Sequence, residues 1–172
     1  MCRTNRTPPA DQNAVGDTFA ANLVALAAMP ARLAEIAAAI PAARWKTRAK
    51  DGGFSLQEHT CHLRDIEIEA FRARLERMLA ESTPMLPDVD GAALARAREY
   101  HRHDLTAAQA AFAAVRADMV QRFAGLSPDE RRRTGVMEGV GEITIDGLVA
   151  KMLEHDAEHV AELTQLLRDL TR

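Results

Sequence analysis

The sequence predicts an all-α protein, an antiparallel four-helix bundle, and three features carry that prediction. Alanine, leucine, arginine and glutamate dominate its 172 residues, and these are strong helix formers. Alternating runs of Val, Ile and Thr are missing, which argues against a substantial sheet. Apolar residues recur at steps of three and four over long stretches joined by short connections, the pattern of helices that each bury one face.

Residues 1–16 are polar, include Pro8-Pro9 and lack an apolar period, so they read as a flexible leader; residues 17–172 read as one domain. From Asp17 the period is helical through Phe19, Leu23, Leu26, Leu33, Ile36 and Ile40. Pro30 interrupts it and predicts a helix start or a kink there, and Pro41 ends it. A loop follows to Phe54, with Trp45 and Gly52-Gly53. Ser55-Leu-Gln-Glu58 matches a capping box, in which the hydroxyl meets the backbone N–H three residues on and the glutamate reaches back. A long helix therefore starts there and runs to about residue 81.

Residues 84–91 read as a turn-rich connection and 92–100 as a short helical piece. A third long helix spans 105–123, on Leu105, Ala108, Phe112, Val115, Met119 and Phe123. Ser127-Pro-Asp-Glu130 is a second capping box opening a short helix. Residues 135–144 carry three glycines and alternate Val136, Val140 and Ile143, which suits a small hairpin-like excursion. Thr144 caps the final helix.

That final helix holds the chemistry. Steps from Ile145 pass through Leu148, Met152, His155, His159, Glu162, Leu166 and Leu170, so histidine fills two positions where Leu or Ile is expected. Residues four apart lie about 40° apart on a helix of ~3.6 residues per turn, and both imidazoles project into the same space. An unsatisfied polar ring in a core costs about 1–3 kcal/mol, so the pair needs partners. A divalent metal is such a partner and requires a further ligand. The capped helix offers His59 and His62. At ~100° per residue, His59 lies near the middle of the Leu56, Leu63, Ile66, Ala70 stripe and His62 at its edge. The pattern leaves that choice open.

Other signals narrow the function classes. The formal charge of −3 comes from closely mixed signs, so a broad basic footprint for nucleic acid is missing. The N-terminus has no continuous apolar segment and no stretch reads as long enough to span a bilayer, which predicts no membrane partner and cytoplasmic residence. Cys2 and Cys61 make no disulfide framework, and Cys61 reads as a small packed thiol. His155-x-x-Glu-His159 matches an inverted zinc-protease pattern, but the few residues after His159 leave no room for its distant glutamate ligand. A di-iron carboxylate bundle needs two Glu-x-x-His motifs, and the sequence has none. Tyr100 and Arg116 are candidates to line a pocket, although a snorkelling surface arginine is the simpler reading of Arg116.

Gly53-Phe-Ser55-x-x-Glu58-x-x-x-His62-Leu-x-Asp65, followed much later by His155-x-x-x-His159, resembles the DinB/YfiT-like superfamily. Gly139-x-Gly-x-Ile-Thr144 is similar to that family's loop before its last helix. The likeness runs from about Leu23 to Leu167. Phe54 stands where the family more often has Trp, with the eight-residue spacing to His62 kept. The resemblance implies a four-helix bundle with His62, His155 and His159 as metal ligands and His59 as a bystander or a support to a ligand. Three neutral imidazoles suit Zn, Ni or Fe(II) and leave coordination positions open. Carboxylates are needed to orient the rings; Glu58, Asp65, Asp156 and Glu158 are near in sequence, with no choice among them. For function, the resemblance implies a metal-dependent S-transferase or isomerase using a low-molecular-weight thiol on a small-molecule substrate. The alternatives are a metal-dependent hydrolase with Glu158 or Glu58 as base, and a non-catalytic, stress-related bundle that its metal stabilises. The resemblance also implies a homodimer, for which the alanine-rich first and third helices could serve. No catalytic residue is assigned.

Overall fold

The computed structural model describes residues 12–171. Helix α1 covers Gln12–Ala39, so it begins inside the stretch read as leader; residues 1–11 of that leader lie outside the described residues. α1 continues through Pro30, which therefore does not start a helix. From Thr18 to Ala39 it is long and apolar enough, by length and composition, to cross a membrane. The expectation that no stretch reaches that length is corrected here. In this fold the segment instead places Leu26, Met29, Leu33 and Ile36 in the core.

The Ser55 capping box forms with both of its hydrogen bonds and opens α2, Leu56–Ile66. A π-helical segment, Glu67–Arg72, follows without a break, and α3, Ala73–Ala80, completes the run. The single predicted helix is thus one continuous rod with a π segment in its middle. Such segments add a residue per turn and shift the faces that follow. Strand β1, Met85–Leu86, pairs parallel with β2, Thr134–Met137, and β2 pairs antiparallel with β3, Gly141–Thr144. The β2–β3 hairpin matches the alternation at 135–144; β1 was not expected from its turn-rich sequence. Between them come α4, Gly91–Ala97, α5, Leu105–Ala124, and α6, Pro128–Arg131, the last opened by the second capping box. α7, Ile145–Thr171, closes the chain, with Thr144 Oγ1 accepting from the Gly147 N–H at 3.1 Å.

Four long helical runs make the predicted four-helix bundle. α1 packs on α5 and α7, and the 56–80 run packs on the same two. Consecutive helices α1 and α2 therefore sit at diagonal corners, as do α5 and α7. Two large apolar blocks fill the bundle, beside a small third cluster of Cys61, Ala95, Tyr100 and Ala108. One gathers Leu26, Phe71, Leu75, Met119, Phe123, Leu148 and Met152; the other gathers Met29, Leu33, Leu63, Phe112, Leu163 and Leu166. On every long helix the boundary between blocks falls at the same level. That level is polar.

Arg116 occupies it and is 1 % exposed, neither the surface arginine nor the pocket-lining residue its sequence suggested. Its Nε and Nη2 each donate to Glu67 at 2.9 Å. Nη1 and Nη2 donate to Asp156 at 2.5 and 3.0 Å, and Nη1 donates to the Leu26 carbonyl at 3.1 Å. All five N–H donors of the guanidinium are therefore matched. The last bond also explains Pro30. Proline has no N–H to give to the carbonyl four residues back, which is Leu26, and Arg116 supplies the missing donor. Burial pulls the Arg116 pKa down, but Asp156 and Glu67 outweigh it and hold the group above its ordinary value.

Removing one member of a buried ion cluster leaves uncompensated charge, at a cost of about 3–5 kcal/mol, whereas replacing the whole cluster by apolar groups is often near neutral. Arg116→Met should therefore destabilise the chain by about 3–5 kcal/mol in urea denaturation. The triple change of Arg116, Glu67 and Asp156 to apolar residues should recover most of that loss. A single-variant effect below about 1 kcal/mol would contradict the assignment.

Candidate metal centre

The polar level continues sideways from Arg116 into a cluster of imidazoles. α2 contributes His59 and His62, one turn apart, and α7 contributes His155 and His159. The Nε2 atoms of His155 and His62 are 3.4 Å apart, and those of His159 and His155 are 3.1 Å apart. Ligand atoms of His62, His155 and His159 all lie within 4.8 Å of one another. The structure thus brings together the three histidines singled out in the sequence. His59 joins from the other side of His159: its Nδ1 is 3.1 Å from His159 Nδ1. His59 and His62 are both buried, so the middle and the edge of the stripe face inward alike.

Aromatic and backbone groups hold these rings. Phe54 packs against His59 and His62, with centroids 5.6 and 5.5 Å apart, which gives the aromatic before Ser55 a physical role. Phe71, in the π segment, meets His155 edge-on at 5.6 Å. Gly91 comes so close to His62 that a Cβ there would lie 2.4 Å from the ring's Cε1, so only glycine leaves this ring its place.

The donor set fits a divalent cation. With all three Nε2 lone pairs turned inwards the rings would repel unless a positive centre lay among them, and three neutral imidazoles match Zn, Ni or Fe(II). Burial, then the neighbouring rings, pushes His59 down to about 3, His62 to about 4 and His155 to about 3. His159 is lowered too, mainly by burial and against the pull of Glu162. The imidazoles are therefore neutral at ordinary pH, the form that binds metal. Glu162 Oε2 lies 3.0 Å from His159 Nδ1. Accepting that N–H leaves the His159 Nε2 lone pair directed at the cluster.

The carboxylates suggested by the sequence go elsewhere. Glu58 closes the capping box and accepts from Arg48 Nε at 3.0 Å, so it supports no imidazole and is no free base. Asp65 is buried and pairs with Arg64 at 2.6 Å and Arg98 at 2.9 Å. Asp156 belongs to Arg116. Tyr100 is buried with Cys61, Ala95 and Ala108 and lines neither of the cavities described next. Burial holds the Cys61 thiol up at about 11, which makes it the inert packed thiol its sequence suggested. Sequence reasoning missed Glu162 as a partner, although its place three residues after His159 on the core-facing seam was a usable signal.

Two cavities meet at the cluster. One, of about 710 Å³, is lined by Phe54, His59, His62, Gly91, His159 and Glu162 among others. The other, of about 410 Å³, reaches His62, His155 and His159 past Phe71, Arg74 and Glu158. Of the carboxylates expected near the site, Glu158 is thus the one that lines a cavity wall.

Two outcomes follow. Glu162→Ala should weaken divalent-metal binding by about 10–100-fold, the usual cost of losing a partner to a ligand; calorimetry that finds no change would remove Glu162 from this role. In metal-free protein the histidines stay neutral when folded but take up protons below about 6.5 when unfolded. The unfolded chain then binds more protons, so stability is full above that pH and falls as pH drops towards about 4. Thermal melts of chelator-treated protein between pH 7 and 4 check the sign, and a flat or rising melting temperature on acidification would contradict it.

The comparisons with known proteins agree with this architecture. YfiT from Bacillus subtilis, described as a probable metal-dependent hydrolase with an unusual four-helix bundle topology, superposes with a TM-score of 0.80 at 18 % identity, over 96 % of this chain and 93 % of YfiT. No curated protein matches the chain. The sequence model of the DinB superfamily matches residues 25–163, most of the bundle and all four of the clustered histidines, and the chain belongs to that superfamily.

Proposed function

We propose that the chain is a divalent-metal-dependent hydrolase of small-molecule esters or amides, with His62, His155 and His159 holding the metal. The observation that carries this reading is the convergence of three Nε2 atoms where two cavities meet. Three protein donors leave coordination positions open, unlike the four that close structural sites. A bound divalent metal would supply a Lewis acid that polarises the scissile carbonyl and makes water a stronger acid. Glu162 keeps His159 in the tautomer that binds, while Phe54 and Phe71 exclude water from the sides of the rings. Glu158, on the wall of the smaller cavity beside His155 and His159, takes the proton of the attacking water and returns it to the leaving group. The description of YfiT as a probable metal-dependent hydrolase supports the same class. The thiol-dependent transfer implied by the sequence resemblance has no separate support in the cavity walls.

A panel of chromogenic esters and amides, offered to metal-loaded protein with and without added thiol, tests the proposal. Turnover should need no thiol, stop on chelation, and fall by at least about a hundredfold in His62→Ala, His155→Ala and His159→Ala. Glu158→Gln should lower kcat with metal content intact. Turnover that appears only with thiol would replace hydrolysis by transfer, and full activity in the three histidine variants would remove the site from the chemistry.

A further inference from the structure

We infer that the smaller cavity binds the carboxylate of a small, partly apolar substrate, with Arg74 as its anchor. The inference deepens the hydrolase reading by naming the substrate class, and rests on it for the direction of the reacting end.

Arg74 is 5 % exposed and lines that cavity together with His155. Its Nη2 donates to the Pro87 carbonyl at 2.8 Å and forms an ion pair at 3.6 Å with Asp88, whose side chain is largely exposed. Its Nε is buried with no acceptor among the described residues. The contrast with Arg116 is direct: one buried guanidinium has every N–H matched, the other does not. A buried donor left unmatched costs about 1–3 kcal/mol; Nε itself is closed to solvent, so an arriving carboxylate, which suits the planar guanidinium, meets Arg74 where it lines the cavity. Burial lowers the Arg74 pKa and Asp88 offsets this only in part, whereas the carboxylates around Arg116 overcome its burial.

The rest of the cavity selects among anions. Ile66, Val89 and Met137 give it apolar walls, suited to a hydrocarbon body. Asp88, Glu154 and Glu158 also line it, and Lys151 is already paired with Glu154 at 2.6 Å. This negative surround penalises a dianion more than a single carboxylate, so the guanidinium admits at most one anionic group. Phe71 separates the two ends, with its ring centroid 5.9 Å from the Arg74 Cζ and 5.6 Å from the His155 ring centroid. A substrate held at Arg74 therefore presents its other end to the imidazoles.

Benzoate, benzamide and inorganic phosphate, titrated into the metal-loaded full chain by calorimetry or ligand-observed NMR, test this. Benzoate should bind at least about tenfold more tightly than benzamide or phosphate, a ratio worth about 1.4 kcal/mol. Arg74→Met should abolish that preference while leaving benzamide unchanged. His155→Ala and chelator-treated protein should keep it, which separates an arginine anchor from carboxylate binding at the metal. If the hydrolase reading fails, the benzoate preference still stands or falls by itself. Equal benzoate affinity in wild type and Arg74→Met, tighter phosphate than benzoate, or loss of the preference on chelation would each overturn the inference. Should Arg74→Met fail to fold, Arg74→Lys carries the test: loss of the fork should weaken benzoate at least threefold, and no loss overturns the inference.

Discussion

The bundle depends on one guanidinium. Arg116, on α5, donates to Glu67 in the π segment, to Asp156 on α7 and to the Leu26 carbonyl on α1, so a single side chain ties all four long helical runs at one level. An apolar residue there would join two hydrophobic blocks into one continuous core. A charged one needs partners from every side, and the partners fix how the helices stand relative to one another. Asp156 follows His155 directly, and Glu67 lies little more than a turn beyond His62. The grip that satisfies Arg116 therefore also sets the rotation and spacing of the two helices that carry the imidazoles. In this account the ion cluster is the frame and the histidine cluster its consequence.

The same logic connects features that look independent. Pro30 would leave a carbonyl unmatched inside the bundle, and the arginine from another helix takes it up. The π segment shifts the register of the rod at Glu67 and Phe71, so that one reaches Arg116 and the other meets His155. Gly91, at the start of α4, lets the backbone close over His62. Each is a local irregularity that a regular bundle would not need, and each ends at the polar level.

Much of this was legible in the sequence. The capping boxes at Ser55 and Ser127 placed two helix starts, because their signal is carried by neighbouring residues. Histidine at two positions of a core-facing seam exposed the cluster, because a helix's own period fixes which side chains share a face. What stayed hidden depends on distant partners. The carbonyl that Arg116 completes lies ninety positions away in the chain, so an arginine among alanines reads as an exposed one. Glu58 and Asp65 stand near His62 in sequence, yet Arg48, Arg64 and Arg98 claim them. β1 consists of two residues whose strand character comes wholly from pairing with Thr134–Met137, and two residues carry no period to read.

The most direct test of the account is X-ray absorption at the metal edge of the zinc-loaded full chain. Three imidazole nitrogens at about 2.0–2.1 Å, falling to two in His62→Ala, are the predicted result. A first shell with fewer than three imidazoles in the wild-type chain, or with sulfur from Cys61, would contradict it.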